Sequence, residues 1–503
     1  MRQFHLTLAA AMASLLAAAG GPALGQAIPD PALPPEALDP TMDRDDLLRG
    51  MVADGATGGQ GGERASDGAS DDAADGSGAE VLYSAVRAIE TEPAGAGAGA
   101  APQPRPREEI AEPDEPVFVR ERRREELEPV GLRAGSFLVF PEIETGVQAT
   151  DNVFAVGTGD KKSDIVYLAR PRLRAQSDWG RHELAFAYEG EYGVYDTFTS
   201  ENPEATRAGV SGRIDLTQAT RLSAEAGYAQ DQEGRGSVDA SDAAAEPTVR
   251  RGYTLRGGAE HRISRVTASL RGGIEAVDFE NGVDLAGVII DNSDRDRTER
   301  LVGGRLAYEL TGTTTVYGDG EYRWRDYDRA LDDGGFARDA ERATATAGAI
   351  LRPRAPLRAE ISVGLVHEDA ADPRLAELDE VALDTALAWA VTPITTLNAA
   401  FQTRLDATTV AGASSSVART VSAGIDHELR RNLVVSSNVS HEWTDYPGAP
   451  LQEETTTVSI AGEWWVTRMA ALVAGYEHER QTTNDGSGTI TENIVSLGMK
   501  MRR

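Results

Sequence analysis

The sequence predicts an all-β protein: an antiparallel transmembrane β-barrel of about 18 strands (16–18), preceded by a disordered N-terminal arm. Three observations support this fold class. Segments with one apolar and one polar face recur from Leu132 onwards. These segments are on the order of ten residues long, which is the length that a tilted membrane strand needs. The connections between them are alternately short and long, as in outer-membrane barrels.

The strand pattern is clearest in His182–Val194. Its residues divide by parity, with Leu184, Phe186, Tyr188, Tyr192 and Val194 on one face and Glu183, Glu189 and Glu191 on the other. Because successive side chains of a strand point to opposite faces, this segment has an apolar side and a charged side. The recurrence of the pattern favours a barrel over a soluble sandwich.

The composition narrows the class of function. The 503 residues carry a net charge of −31, whereas nucleic-acid binding needs clustered Lys and Arg, so we expect no nucleic-acid partner. The charged fraction of 26% suits a barrel, since only alternate strand residues meet lipid. The sequence has no cysteine, which excludes disulfides, Cys-ligated metals, thiol catalysis and a lipoprotein anchor.

Residues 1–25 have the pattern of a secretory signal peptide. Arg2 and His5 precede the apolar run Leu6–Ala19, and small residues offer a cleavage site near Gln26. The apolar run is shorter than the roughly 18–20 residues that a membrane helix needs. We therefore expect the protein to be exported.

Residues 26–130 form the predicted arm, which is rich in Ala, Gly, Pro and Asp. Two patches, Asp43–Val52 and Ala79–Ile89, carry apolar residues at near-helical spacing and are either docking helices or transient helices in a linker. The end of the arm, Val117–Val130, places four arginines before three glutamates, which indicates a solvated segment ahead of the barrel.

Residues 131–503 form the predicted barrel. Eight short connections, such as Thr311–Thr314, alternate strictly with nine long polar ones, such as Asp231–Arg250. Short periplasmic turns and long extracellular loops have this arrangement. The first strand, Leu132–Val147, and the last, Asn493–Met501, then leave the arm and both termini in the periplasm.

The faces of the strands separate lipid-facing from lumen-facing residues. Apolar and aromatic residues share one phase, and charged residues share the other, because a charge that faces lipid at mid-depth costs roughly 2–4 kcal/mol. The candidate pore-lining residues are Arg170, Arg172, Arg174, Glu183, Glu189, Glu191, Arg213, Asp319, Glu321, Arg323 and Arg325. Two interpretations remain open: a polar eyelet, or a ladder of neutralising pairs in a closed or narrow interior.

The sequence offers little support for catalysis or for a cofactor. The six histidines of the mature chain all fall on the outward phase near strand ends, which places them away from a shared site. We find no metal-ligand spacing and no Ser/His/Asp arrangement. The loop Asp291–Asp296 could bind Ca²⁺ or be plain solvated loop, and it lacks the ordered Gly and terminal Glu of a dedicated calcium loop. We predict no enzyme, no cofactor and no metal, with a barrel enzyme as the weaker alternative.

The opening of the barrel carries a family resemblance. Gly131–Phe140 (GLRAGSFLVF), Asp151–Phe154 (DNVF) and Arg170–Trp179 together resemble the start of the putative β-barrel porin 2 family. The resemblance implies an outer-membrane protein of a Gram-negative, alphaproteobacterial type, often associated with exopolysaccharide systems. The chain departs from such barrels at Leu497–Arg503, which has no terminal aromatic residue for the barrel-assembly machinery to recognise.

These observations predict a porin-like channel in the cell outer membrane. Its solutes would be small hydrophilic molecules or an exported exopolysaccharide, and its partners would be outer-membrane lipid and the assembly machinery. The alternative is a closed structural or docking barrel that recruits periplasmic partners through its arm.

Overall fold

The computed structural model describes residues 118–503, except residues 123, 241–243, 353–355 and 487. The predicted signal peptide, both helical patches and the rest of the arm up to residue 117 lie outside the described residues. Across the described ranges, no helix has both the length and the apolar character needed to cross a membrane.

The described chain is built from strands. They are β1 Leu132–Ala134, β2 Phe137–Thr150, β3 Asp164–Ser177, β4 His182–Tyr195, β5 Glu204–Asp215, β6 Thr220–Gln232, β7 Val249–Ile263, β8 Val266–Phe279, β9 Gly282–Val283, β10 Ile289–Ile290, β11 Arg297–Thr311, β12 Thr314–Tyr327, β13 Ala340–Leu351, β14 Leu357–Ala370, β15 Leu378–Thr392, β16 Thr395–Ala407, β17 Ser415–Arg430, β18 Leu433–Asp445, β19 Gln452–Thr467, β20 Ala470–Thr483 and β21 Thr489–Arg502. A 3₁₀ turn covers Thr199–Glu201.

Eighteen of these strands form one closed wall, as predicted. Strands β2 to β8 and β11 to β21 pair antiparallel with their neighbours along the chain, and β2 pairs with β21 to close the circle. Strands β9 and β10 form a small hairpin inside the long β8–β11 connection.

The first predicted strand is wrong in one detail. Leu132–Val147 is not a single strand, because the chain turns back after β1, and β1 pairs with the start of β2. Gly135 lies in this turn with φ of +64°, a backbone conformation that glycine adopts at little cost.

The two faces of the wall separate as the strand periodicity predicts. Leu270, Leu365 and Leu497 are 60–69% exposed on the outer face. Glu144, Arg170 and Glu299 on the inner face are 3–5% exposed. Among the described residues, the buried apolar clusters are small, so charged and polar side chains dominate the interior.

One hairpin leaves the wall. Strand β16 pairs with β15 only as far as Phe401, although it stays paired with β17 to its end. Beyond that point Leu405 and Val417 pack against Val366, Leu378 and other apolar residues of β14 and β15. The tip of the β16–β17 hairpin therefore lies inside the barrel at its long-loop end.

Candidate functional site in the barrel interior

An arginine ladder lies on β3, between two glutamate strands. The register places Glu144 beside Arg170 and Glu142 beside Arg172, and it places Glu189 on the other side of Arg172. Arg170 binds Glu144 at 2.9 Å and Glu191 at 2.8 Å, and Arg172 binds Glu189 at 2.7 Å and Glu142 at 3.3 Å. Each guanidinium is therefore held between two carboxylates, which fixes it against the wall.

The ladder continues towards the short-turn end on both sides. Arg213 on β5 lies 3.4 Å from Glu183 and 3.6 Å from Asp215. Lys500 on β21 lies 4.0 Å from Glu142 and 3.8 Å from Glu463. Arg174, the third arginine of β3, is half-buried on the same face.

A second network crosses β11 at a glycine. The register places Gly303 between Arg271 on β8 and Glu321 on β12. Arg271 reaches over β11 to bind Asp319 at 2.7 Å and Glu321 at 3.1 Å. A Cβ on Gly303 would lie 2.8 Å from the guanidinium carbon of Arg271, so the missing side chain makes room for this crossing.

Two buried carboxylates organise the rest of this network. Glu299 binds Arg323 and Arg325, each at 2.9 Å. Glu368, 1% exposed, accepts hydrogen bonds from Ser414 and Ser415 of the inward hairpin and binds Arg342 at 2.7 Å. Hydrogen bonds from these two serines to Glu368 thereby attach the hairpin to the inner face of the wall.

The structure places all eleven predicted site residues on the inner face but does not bring them together into one ring. Those on β3, β4 and β5 form the first network, and those on β12 form the second. Whether they line a conducting pore stays a prediction. Five further residues of these networks were not predicted, although they share the inward phase: Glu142, Glu144, Arg271, Glu299 and Glu368. Their pairing partners depend on the register between neighbouring strands, whereas the alternation within one strand shows only the face on which a residue lies.

The short-turn mouth holds the end of the N-terminal arm. The backbone amide of Val119 donates to Thr396 Oγ1 at 2.9 Å, and Val119 is fully buried. Arg120 binds Asp426 at 2.8 Å, and Arg124 binds Glu428 at 3.1 Å. The prediction of a solvated segment is therefore wrong for Val119, Arg120 and Arg124, because inward carboxylates of β17 attract these arginines. Glu125, Glu126 and Val130 are exposed, as a solvated segment would be.

Further contacts spread this segment around the rim. Arg122 lies 3.2 Å from Glu428, and Glu121 lies 2.7 Å from Arg358 on β14. Arg502, near the end of β21, donates to the carbonyl of Leu127 at 2.6 Å. The segment thus contacts strands that lie several positions apart in the wall.

The long-loop mouth is crossed by the β6–β7 connection. Asp239 from this loop accepts hydrogen bonds from Thr408 and Thr409, at the tip of the β16–β17 hairpin. Gly236 accepts one from Gln481 on β20 at 2.9 Å. Strands β6 and β7 are the fifth and sixth of the wall, counted from β2, and β16 and β17 are the thirteenth and fourteenth. The loop therefore bridges distant parts of the mouth.

The carboxylates of Asp291–Asp296 diverge to separate backbone groups. Each of three carboxylates accepts a hydrogen bond from a different backbone amide. The amide of Ser293 donates to Asp291, the amide of Asp333 donates to Asp294, and the amide of Phe279 donates to Asp296. Burial, with the nearby charges of Asp278 and Asp328, raises the pKa of Asp296 to about 6. The three carboxylates therefore bind separate backbone amides.

The histidines lie on the outer face in separate cross-strand contacts. His261 faces Thr220, His427 faces Thr395 and His441 faces Thr456. His367 lies 2.9 Å from Asp379 and 3.7 Å from Glu377, in an exposed trio remote from the lumen.

The closed wall, its apolar exterior and its charged interior define a transmembrane β-barrel of the outer-membrane type. The chain belongs to the family described as "Putative beta-barrel porin 2", whose sequence profile matches residues 125–503. It is thus a porin-like outer-membrane barrel, as the opening strands suggested.

Comparisons with solved structures give matches of low identity. OccK9 (OpdG) of Pseudomonas aeruginosa is 13% identical, with a TM-score of 0.40 over 73% of this chain and 98% of that one. The outer membrane protein OpdK of the same organism is 11% identical, with a TM-score of 0.40 over 73% and 99%. A mutant of its ferric enterobactin receptor PfeA is 8% identical, with a TM-score of 0.38 over 73% and 80%. No curated protein matches the sequence.

Proposed function

We propose that this protein is a passive channel for small hydrophilic solutes across the outer membrane. The observation that carries the proposal is the charged inner face of an 18-stranded wall. A barrel of this size is wider than its inward side chains alone can fill. A polar interior of this width favours water over a packed apolar core.

The barriers at both mouths are polar contacts. The short-turn mouth is occupied by Phe118–Val130 through ion pairs, and the long-loop mouth is crossed by a loop held through Asp239. Ion pairs at such a rim weaken as salt concentration rises. We propose that the short-turn end faces the periplasm and that the segment Phe118–Val130 narrows the channel there.

The family resemblance also raised export of an exopolysaccharide. The crossing of the long-loop mouth by the β6–β7 connection favours small solutes, because a polymer would have to displace the Asp239 contacts. Passage of a polysaccharide is therefore not part of our proposal.

Ion conductance in a planar bilayer tests the channel. The full chain and a variant that lacks residues 1–130 are refolded and compared, with folding checked by the heat-dependent shift in gel mobility. We expect conductance from both, several-fold higher for the shortened chain. Silence from both folded forms would refute the channel.

The second candidate is a docking barrel, which the seated segment favours. Phe118–Val130 is anchored to the rim, so the chain enters the barrel at the short-turn end. In that case the wild-type and shortened proteins would both be silent in bilayers. Partners from a periplasmic extract would then bind to the full chain but not to the shortened chain.

A further inference from the structure

The inner face is unevenly charged around the barrel. On β16 to β20, inward positions of the described wall carry eight acidic residues and one basic residue. These are Asp406, Asp426, Glu428, Glu442, Glu453, Glu463, Glu477 and Glu479, with Arg404 as the cation. This sector therefore differs from the parts of the wall around β3 and β12, where inward arginines are paired with inward glutamates.

The short-turn half of this sector takes its cations from elsewhere in the chain. Arg120 binds Asp426, Arg122 and Arg124 bind Glu428, and Lys500 lies 3.8 Å from Glu463. The chain thus shows that this wall holds guanidinium groups from a segment that is not part of the barrel.

The long-loop half brings a loop aspartate and a loop tyrosine near three inward glutamates. We call this cluster the acidic pocket: Asp239, Glu442, Glu453, Glu479 and Tyr446. The register places Glu453 diagonally next to Glu442. The charges that act most strongly on Glu453 are those of Glu442, Glu479 and Asp239. Arg404 approaches this group, but it binds Asp406 at 2.7 Å and lies 3.8 Å from Glu442.

The acidic pocket contains buried polar atoms without a hydrogen-bond partner, at Tyr446 and at Glu453. Tyr446 is 1% exposed, and its Oη has no hydrogen-bond partner in the described structure. Glu453 is 3% exposed, and its Oε2 likewise has none. Burying a carboxylate oxygen or a hydroxyl without a partner is unfavourable, so these atoms are suited to a ligand that donates hydrogen bonds.

The spacing of the groups favours an organic cation over a metal ion. In the described structure, no three carboxylates of the acidic pocket place one oxygen each within 4.8 Å of one another, as a compact ion would need. Among the described residues, the tight trio of possible ligand atoms is on the outer face, at His367, Glu377 and Asp379.

We propose that the acidic pocket binds solutes that carry a guanidinium or primary ammonium group. If the channel proposed above is correct, the pocket makes it selective for such cations. Guanidinium donors would bridge several carboxylates at once, as Arg170 and Arg172 do on β3.

Agmatine is the probe, because it carries both groups and no carboxylate. Binding to the refolded full chain in detergent is measured by isothermal titration calorimetry, with glutamate as the anionic comparison. The double variant E442Q/E453Q replaces two carboxyl groups of the pocket by amides. The matched control E341Q/E454Q removes two carboxylates from the outer face, outside the pocket.

We expect agmatine to bind the wild type and the control equally, and the pocket variant at least tenfold more weakly. Y446F, which changes no charge, should weaken binding about threefold. No binding to the folded wild type, equal loss in both double variants, or equal binding of glutamate would overturn the proposal.

A reversal-potential measurement separates the pocket from the channel. Cation preference that falls in E442Q/E453Q supports both proposals. A silent bilayer with intact agmatine binding removes the channel and leaves the pocket.

Discussion

Single ion pairs hold the interior charges in place. Arg170 is 6% exposed between Glu144 and Glu191, so removing it leaves two carboxylates without their cation in a site that excludes water. Exposed pairs such as Arg300–Asp326 on the outer face are surrounded by solvent or headgroups. Burial, rather than distance, decides how much each pair contributes.

The first prediction compares these two arginines. R170M should lower the free energy of unfolding by about 3–5 kcal/mol, because the buried carboxylates lose their partner. R300M should lower it by no more than about 1 kcal/mol. Urea unfolding in detergent, followed by tryptophan fluorescence, measures both. Equal effects would contradict the assignment of Arg170 to a buried ladder.

A second prediction concerns the glycine beneath Arg271. G303A should displace the guanidinium from Asp319 and Glu321, at a cost of roughly 1–3 kcal/mol for the lost charged hydrogen bonds. G320A is the control, because a Cβ there meets nothing within 4 Å. The same urea titration applies. A stability of G303A equal to that of G320A would mean that Arg271 does not depend on this gap.

At the scale of elements, two segments are held by charge rather than by apolar packing. One is Phe118–Val130 in the short-turn mouth, and the other is the β8–β11 connection with its aspartates. Elements held in this way respond to salt and pH more than the strand ladder does.

The triple variant R120Q/R122Q/R124Q tests the first element. Loss of its pairs with Asp426 and Glu428 should free the segment and raise single-channel conductance at least twofold. The lysine triple variant keeps the charge and should stay near the wild-type value. Conductance that is unchanged in the glutamine variant would show that the segment does not obstruct the mouth.

Asp296 makes the second element pH-dependent. Its pKa is raised from 3.8 to about 6, so the folded state favours the protonated form. Stability from this group is present below pH 3.8 and is lost as pH rises through about 6. D296N should therefore gain in thermal midpoint, relative to the wild type, between pH 5 and pH 7.

D291N is the control for this titration. The Ser293 side chain and amide lower the pKa of Asp291 below 3.8, so its charge does not change between pH 5 and pH 7. The difference in midpoint between D291N and the wild type should stay flat over that range. A flat difference for D296N as well would contradict the raised pKa.

For the whole molecule, the orientation of the barrel is the main prediction. The long loops and the short turns lie on opposite sides of the membrane. A reagent that cannot cross the membrane therefore reaches only one of the two sets from outside the cell. Because the sequence has no cysteine, single introduced cysteines report accessibility without background.

We predict that L285C is labelled on intact cells by a membrane-impermeant maleimide, since Leu285 is 90% exposed in a long connection. G312C, in the short β11–β12 turn, should react only after the outer membrane is permeabilised. Gly312 has open space for a side chain, so the substitution should not disturb the turn. The reverse labelling pattern would invert the topology.

The sequence alone determined the wall. Period-two alternation and the alternating connection lengths predicted about 18 antiparallel strands, the outer face and the inward charges. They could do so because strand geometry is local and because a charge that faces lipid is energetically unfavourable.

The tertiary structure alone decided what fills the barrel. Pairing Arg271 with Asp319 depends on register across Gly303, and the seating of Arg120 on Asp426 joins residues 306 positions apart. The inward bend of β16–β17 and the reach of Asp239 to its tip depend on contacts between distant strands. The face on which a side chain lies can be inferred from the sequence of one strand. The residue that it pairs with on a distant strand is defined only by the closed barrel.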